Sequence, residues 1–161
     1  MATLWAEVVG PRLRLKLLML GSGHEAPDSE EDCVRAVAAA SEWVACEEIG
    51  PLAERLDRVR SAICAVFSAV DDHLPQALAE AMAVERPVVA TPIEGHLGLV
   101  DDAVTGFVLK DSSLDDLAVT IDKKIIKDPV AARRVAATAA THVRATFAPS
   151  VAGQTILAEL S

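Results

Sequence analysis

Two carboxylates, Asp72 and Glu80, flank a predicted helix start at Pro75. The free backbone N–H groups at a helix N-terminus attract anions without any basic side chain. With Pro75 as the first helical residue, such groups near His73, Leu74, Gln76 and Ala77 point outward. A carboxylate one to two turns further along can accept hydrogen bonds from both hydroxyls of a vicinal diol. Glu80 comes five residues after Pro75, about 7.5 Å along a helix axis. That offset suits a ribose whose phosphates rest at the helix end, with Asp72 facing the other end of the ligand. Spacing alone also fits an amphipathic helix with an exposed Glu80 behind an acidic loop.

The elements that must position these residues are short apolar runs alternating with helical patterns. Leu15–Leu20, Trp43–Cys46, Ala62–Phe67, Pro87–Ala90 and Gly106–Leu109 are predicted strands. Helices are predicted over Ser29–Ala40, Pro51–Val59 and Pro75–Val84. Ser112/Ser113 with Asp115/Asp116 starts a further helix carrying Leu114, Leu117, Ala118, Ile121 and Ile125, and Asp128-Pro129 opens one that runs to about Thr146. A tail helix is expected over 150–160. The alternation predicts an α/β fold, a Rossmann-like parallel sheet of five or six strands with helices on both faces. In such a sheet ligands collect outside the carboxyl ends of the strands, and Ser68 to Leu74 follow the third strand.

Composition narrows the partners. A chain of 161 residues, 52% hydrophobic, is long enough for one domain with a single core, here residues 1–161. Its formal net charge of −9 and lack of a basic run make it a poor partner for nucleic acid or an anionic membrane. No apolar run is long enough to span a bilayer, and the expected location is the cytoplasm. Cys33, Cys46 and Cys64 show no CxxC spacing, and His24, His73, His96 and His142 show no ligand spacing, so neither a zinc site nor a disulfide framework is expected.

The block Ser68-x(3)-Asp72-x(2)-Pro75-x(4)-Glu80-Ala81-Met82-Ala83, followed by Pro87-Val88-Val89-Ala90-Thr91, resembles the E-x(7)-E block of group 1 (family 4) glycosyltransferases. Leu15–Gly23, Thr105–Leu109 and Arg144–Phe147 resemble further pieces of that family in the right order. The resemblance implies the C-terminal, donor-binding half of a GT-B fold. It gives Glu80 the ribose hydroxyls of a nucleotide-diphosphate sugar, Asp72 the transferred sugar as catalytic residue, and the backbone of His73 and Leu74 the diphosphate. It implies retaining transfer without a metal at the site, and no cofactor.

Three departures qualify it. Glu85 replaces a glycine, Glu94 stands where many members have another glycine, and Gly98 stands where the pattern has an acidic residue. The family's Arg and Lys pair, which neutralises the leaving diphosphate, lies in an element before Leu15 and has no match in Arg12, Arg14 or Lys16. The acceptor-binding N-terminal domain is expected as a missing partner, and the isolated chain is expected to turn over little or nothing.

Two rival readings remain. Gly21-Ser22-Gly23-His24-Glu25-Ala26 fits the dinucleotide fingerprint of an NAD-dependent oxidoreductase, with Glu47 and Glu48 at the end of the next strand. Against it, Pro27-Asp28 interrupts the helix such a site needs, and five acids from Glu25 to Asp32 crowd the place of a pyrophosphate. The other rival is a non-catalytic module that kept the fold and lost the ligand, favoured by Glu85 and Glu94.

Overall fold

A computed structural model describes residues 7, 9–21, 36–48, 50–68 and 75–147. Five strands appear in it: β1 (Leu17–Gly21), β2 (Val44–Glu48), β3 (Ala65–Phe67), β4 (Val88–Ala90) and β5 (Phe107–Val108). Every ladder is parallel. A parallel pair needs a crossover, and helices supply it. Residues 36–40 are helical before β2. After a short α1 (Gly10–Leu13), the helices are α2 (Leu52–Ser61), α3 (Gln76–Ala83), α4 (Glu94–Leu97), α5 (Leu114–Thr120) and α6 (Pro129–Thr146).

The middle strand shows why the sheet is apolar on both faces. Val88 and Ala90 of β4 pack with Leu78, Ala81 and Met82 of α3 and with Ala139 and Val143 of α6. Val89, between them, points to the other cluster, with Phe107, Leu117, Ile121 and Val135. Successive side chains of a strand face opposite ways, so all three residues of β4 are fully buried. The long helix α6 spans both clusters through its small residues.

The starts of α5 and α6 follow the sequence signals. The Ser113 hydroxyl accepts from the Asp116 N–H at 3.1 Å, and an Asp128 carboxylate oxygen accepts from the Ala131 N–H at 3.1 Å with Pro129 first in the helix. The pattern predicted to run through Ile125 does so, but from Ile121 to Ile126 it is a π-helix, which keeps Ile121 and Ile125 in the core. The expected tail helix over 150–160 lies outside the described residues.

One expectation about the sheet is changed. Among the described residues the strands form two ladders, β1–β2 and β3–β4–β5, with no bonds between β1 and β3. A cavity of about 540 Å³ lies between them, lined by residues 15–19 on one side and 61–68 on the other.

Candidate functional site

Helix α3 carries the principal candidate. Its sequence QALAEAMA holds good helix formers, and Leu78, Ala81 and Met82 face the core. Pro75 is not the first helical residue, as the sequence suggests, but the N-cap, with φ −73° and ψ 69°. Its carbonyl accepts the first helical bond, from the Ala79 N–H at 3.1 Å, as an N-cap carbonyl does. Glu80 is therefore the fifth helical residue, about 6 Å from the helix start. Its side chain is 17% exposed and lines the cavity.

Glu80 is already engaged. Arg55 of α2 donates to Oε2 from Nε at 3.1 Å, and from Nη2 to both oxygens at 3.0 and 2.9 Å. Gln76 Nε2 donates to Oε1 at 3.0 Å. Two donors on each oxygen match the roughly four lone-pair sites of a carboxylate. The Gln76 contact was readable from the sequence as a one-turn pair. Arg55 was not: it lies 25 residues from Glu80 in the chain, where no periodicity links them.

Other cations at the cavity are Arg58 and Lys16. Arg58 Nε donates to Glu47 at 2.9 Å, so one of the two acids of the dinucleotide reading is turned to an arginine of α2. Gly21 ends β1, while Ser22–Ala26 of that fingerprint lie outside the described residues. Asp72, His73 and Leu74 lie outside them as well. Ser68, just past β3, is exposed and lines the cavity.

The departures from the family pattern separate by position. Glu85 sits beyond the C-terminus of α3, at the opposite end of the helix from Gln76, so its charge does not face the helix start. Its φ is 59°, the left-handed region that a glycine adopts freely. Glu94 begins α4 after β4 and is exposed. His96 of α4 is fully buried, with Nδ1 3.0 Å from the Thr91 carbonyl oxygen and its ring edge-on to Phe67 at 6.4 Å. It pins α4 to the end of β4 and does not face an opening.

Among the described residues no group of three His, Cys, Asp or Glu could hold a metal ion, and no helix is long and apolar enough to cross a membrane. Burial pushes the Cys64 thiol up to about 12. Hydrogen bonds from the Ser113 side chain and backbone hold the Asp111 carboxyl below its ordinary value.

Residues 14–142 match the family described as glycosyl transferases group 1. Among solved structures, a glycosyltransferase from Rickettsia africae ESF-5 superposes with a TM-score of 0.81 at 16% identity, covering 97% of this chain and 42% of that one. Anabaena HepE in complex with UDP-glucose gives 0.75 at 19%, covering 97% and 45%. Sucrose-phosphate synthase from Thermosynechococcus elongatus gives 0.73 at 22%, covering 98% and 42%. The chain thus spans less than half the length of each of these structures. No curated protein matches it in sequence.

Proposed function

The chain belongs to the group 1 glycosyl transferases, and from that premise we propose that residues 1–161 form one donor-binding domain for a nucleotide-diphosphate sugar. The sugar is transferred with retention of configuration to an acceptor held by an N-terminal domain outside these residues. The observation that carries the reading is the place of Glu80: a carboxylate in the second turn of α3, at the rim of a cavity between two parallel ladders. That HepE of Anabaena is solved with UDP and with UDP-glucose supports a uridine nucleotide as the first donor to try.

In this reading the start of α3, with the backbone of His73 and Leu74, takes the diphosphate. Asp72 meets the transferred sugar and Glu80 accepts from the ribose hydroxyls. The helix end stabilises negative charge as the diphosphate departs, and fixing the donor at both ends holds it in line for attack. Because Glu80 has no spare acceptor site, a ribose must displace one of its donors. Gln76 is exposed and singly bonded, so it is the donor that leaves, while Arg55 keeps the carboxylate oriented. No metal or cofactor is called for, and the chain works in the cytoplasm. Without an acceptor domain and the family's Arg and Lys pair, the 161-residue chain turns over little or nothing.

The test is a ligand-observed NMR screen of UDP, GDP, ADP and their sugars against the wild-type chain and Glu80→Ala. The expected result is a saturable signal from one nucleotide that Glu80→Ala abolishes. A signal that survives the substitution sinks the ribose assignment, and a response to NAD(H) but to none of the sugar nucleotides turns the reading to a dinucleotide enzyme. One observation favours a second reading, a non-catalytic module: the acceptor capacity of Glu80 is filled from within the protein by Arg55 and Gln76. No response to any nucleotide would support it.

A further inference from the structure

We propose that the corner between the end of α5 and the start of α6 is a docking surface for an anionic phospholipid bilayer. Charge is segregated along this chain. Residues 119–147 hold six cations, Lys123, Lys124, Lys127, Arg133, Arg134 and Arg144, against two acids, Asp122 and Asp128, in a chain of net charge −9. All six cations are exposed. Both acids are engaged: Asp122 accepts from Lys127 Nζ at 2.7 Å, and Asp128 from the Ala131 N–H at 3.1 Å. Glu85 approaches Arg144 at 3.7 Å. Among the described residues Lys123, Lys124, Arg133 and Arg134 have no ion-pair partner. Helix electrostatics explain only part of this charge. Lysines near the end of the π-helix suit the negative end of the helix dipole. Arg133 and Arg134 stand in the second turn of α6, in the half where that dipole does not favour a cation.

Apolar side chains stand among these cations. Ile126 is 42% exposed and Val130 is 69% exposed, on either side of the turn at Lys127 and Asp128. Val119, also exposed, lies one turn before Lys123 and two before Ile126. An apolar tip rimmed by lysine and arginine is the pattern of an interfacial contact: the tip enters the headgroup region and the cations meet the lipid phosphates. A nucleic-acid face would present aromatic or amide side chains among its cations, and residues 119–138 contain none.

The fold turns this corner away from the start of α3. Helix α5 leaves the carboxyl end of β5, where the Lys110 N–H donates to Asp116 Oδ2 at 2.6 Å. With the π-helix it runs about 20 Å back toward the amino ends of the strands. Helix α6 lies along that end. Arg144 Nη2 donates to the Ala83 carbonyl at the end of α3 at 2.9 Å, and Val88, first in β4, packs with Ala139 and Val143. The net charge that argues against an anionic membrane for the chain as a whole does not govern this corner. At physiological salt, charges more than about 8 Å from the surface are largely screened.

The test is cosedimentation of the 161-residue chain, without nucleotide, with two kinds of vesicle. One is phosphatidylcholine alone, and the other contains about one third phosphatidylglycerol. The anionic vesicles are expected to bind at least about tenfold more tightly, and less so as salt rises. Lys123→Gln, Lys124→Gln, Arg133→Gln and Arg134→Gln together are expected to remove that preference. Ile126→Ser with Val130→Ser is expected to weaken binding to anionic vesicles by about fivefold, because the tip no longer enters the interface. Arg12→Gln with Lys110→Gln, two exposed cations elsewhere, is expected to leave it within about twofold. All these side chains are exposed, and unchanged urea midpoints check that the variants fold. Equal binding to both vesicles, or binding to neither, overturns the proposal. A preference that survives the four neutralisations overturns it as well. Loss on neutralisation with no effect of the Ile126 and Val130 changes means a site for polyanions in solution. Self-association in light scattering that the four neutralisations abolish means that a second copy covers the corner. Either result overturns the bilayer assignment. No nucleotide is present, so the outcome is independent of the Glu80→Ala screen.

Discussion

Arg55 holds Glu80 through both of its carboxylate oxygens, at 2.9 to 3.1 Å, and so ties α2 to α3 across the mouth of the cavity. The side chains are 23% and 17% exposed, which puts the pair between the weak surface bridges and the buried ones that leave an orphan charge when broken. Replacing Arg55 by alanine is expected to lower stability by about 1–2 kcal/mol in urea unfolding. Lysine should not restore it, because a single ammonium cannot reproduce the planar fork. A double-mutant cycle with Glu80→Ala should return a coupling of at least about 0.5 kcal/mol; additive effects would mean that the two charges act independently.

Glu85 is expected to be a stability defect that glycine repairs. The Arg86 N–H reaches the Ala81 carbonyl at 3.2 Å and the Glu85 N–H reaches the Met82 carbonyl at 3.0 Å. Those two bonds form a Schellman end, whose left-handed residue is Glu85 with φ 59°. A side chain in that conformation costs roughly 1–2 kcal/mol. The compensating contact is slight, an exposed Glu85–Arg144 pair at 3.7 Å. Glu85→Gly should therefore stabilise the chain by about 1 kcal/mol, seen as a raised urea midpoint with an unchanged slope, whereas Glu85→Ala should stay near wild type. A destabilised glycine variant would contradict the account.

Gly106 tests the packing behind the cavity. A Cβ built there would lie 2.6 Å from Val88 Cγ2 and 2.7 Å from Val100 Cγ1, both in the core. Gly106→Ala should cost about 1–3 kcal/mol through overpacking. Shortening a neighbour makes room, so adding Val88→Ala should cost less than the sum of the two single changes. Strict additivity in thermal unfolding would show that the clash is relieved elsewhere.

What the sequence reveals divides along the range of the interactions. The starts of α5 and α6 were legible because a cap acts over three residues: Ser113 bonds Asp116 and Asp128 bonds Ala131. The parallel α/β character was legible because strands buried on both faces read as unbroken apolar runs, as Val88–Ala90 does. Glu80 was legible as a candidate through its place in a helix. Its tie to Arg55 was not, since nothing local marks a contact between two helices. The charge of Glu85 was visible, but its backbone conformation was not, because one acidic residue reads the same in a helix end as on a surface. The cavity between the two ladders escaped the sequence for a similar reason. Each strand announces itself by its own residues, while the order in which strands pair leaves no mark in them.

Cys64 supplies a dependence on pH. It packs against the core at the foot of β3 and lines the cavity, and burial pushes its thiol up to about 12. An unfolded thiol ionises near 8.5. The neutral form is thus favoured in the folded chain, and the stabilisation is fully present below about pH 8.5. Above that, the unfolded state loses a proton that the folded state keeps, and stability should fall by up to about 1.4 kcal/mol per pH unit until the folded thiol titrates. Cys64→Ala should flatten that part of the profile between pH 9 and about 11 in urea unfolding, whatever it does to stability at pH 7. The same thiol should react with a disulfide reagent at pH 8 only as fast as the chain opens, because the thiolate is the nucleophile. Rapid labelling of Cys64 in the native protein, with Cys33 and Cys46 replaced by serine to isolate the signal, would show that the cavity admits water and that the thiol is not held neutral.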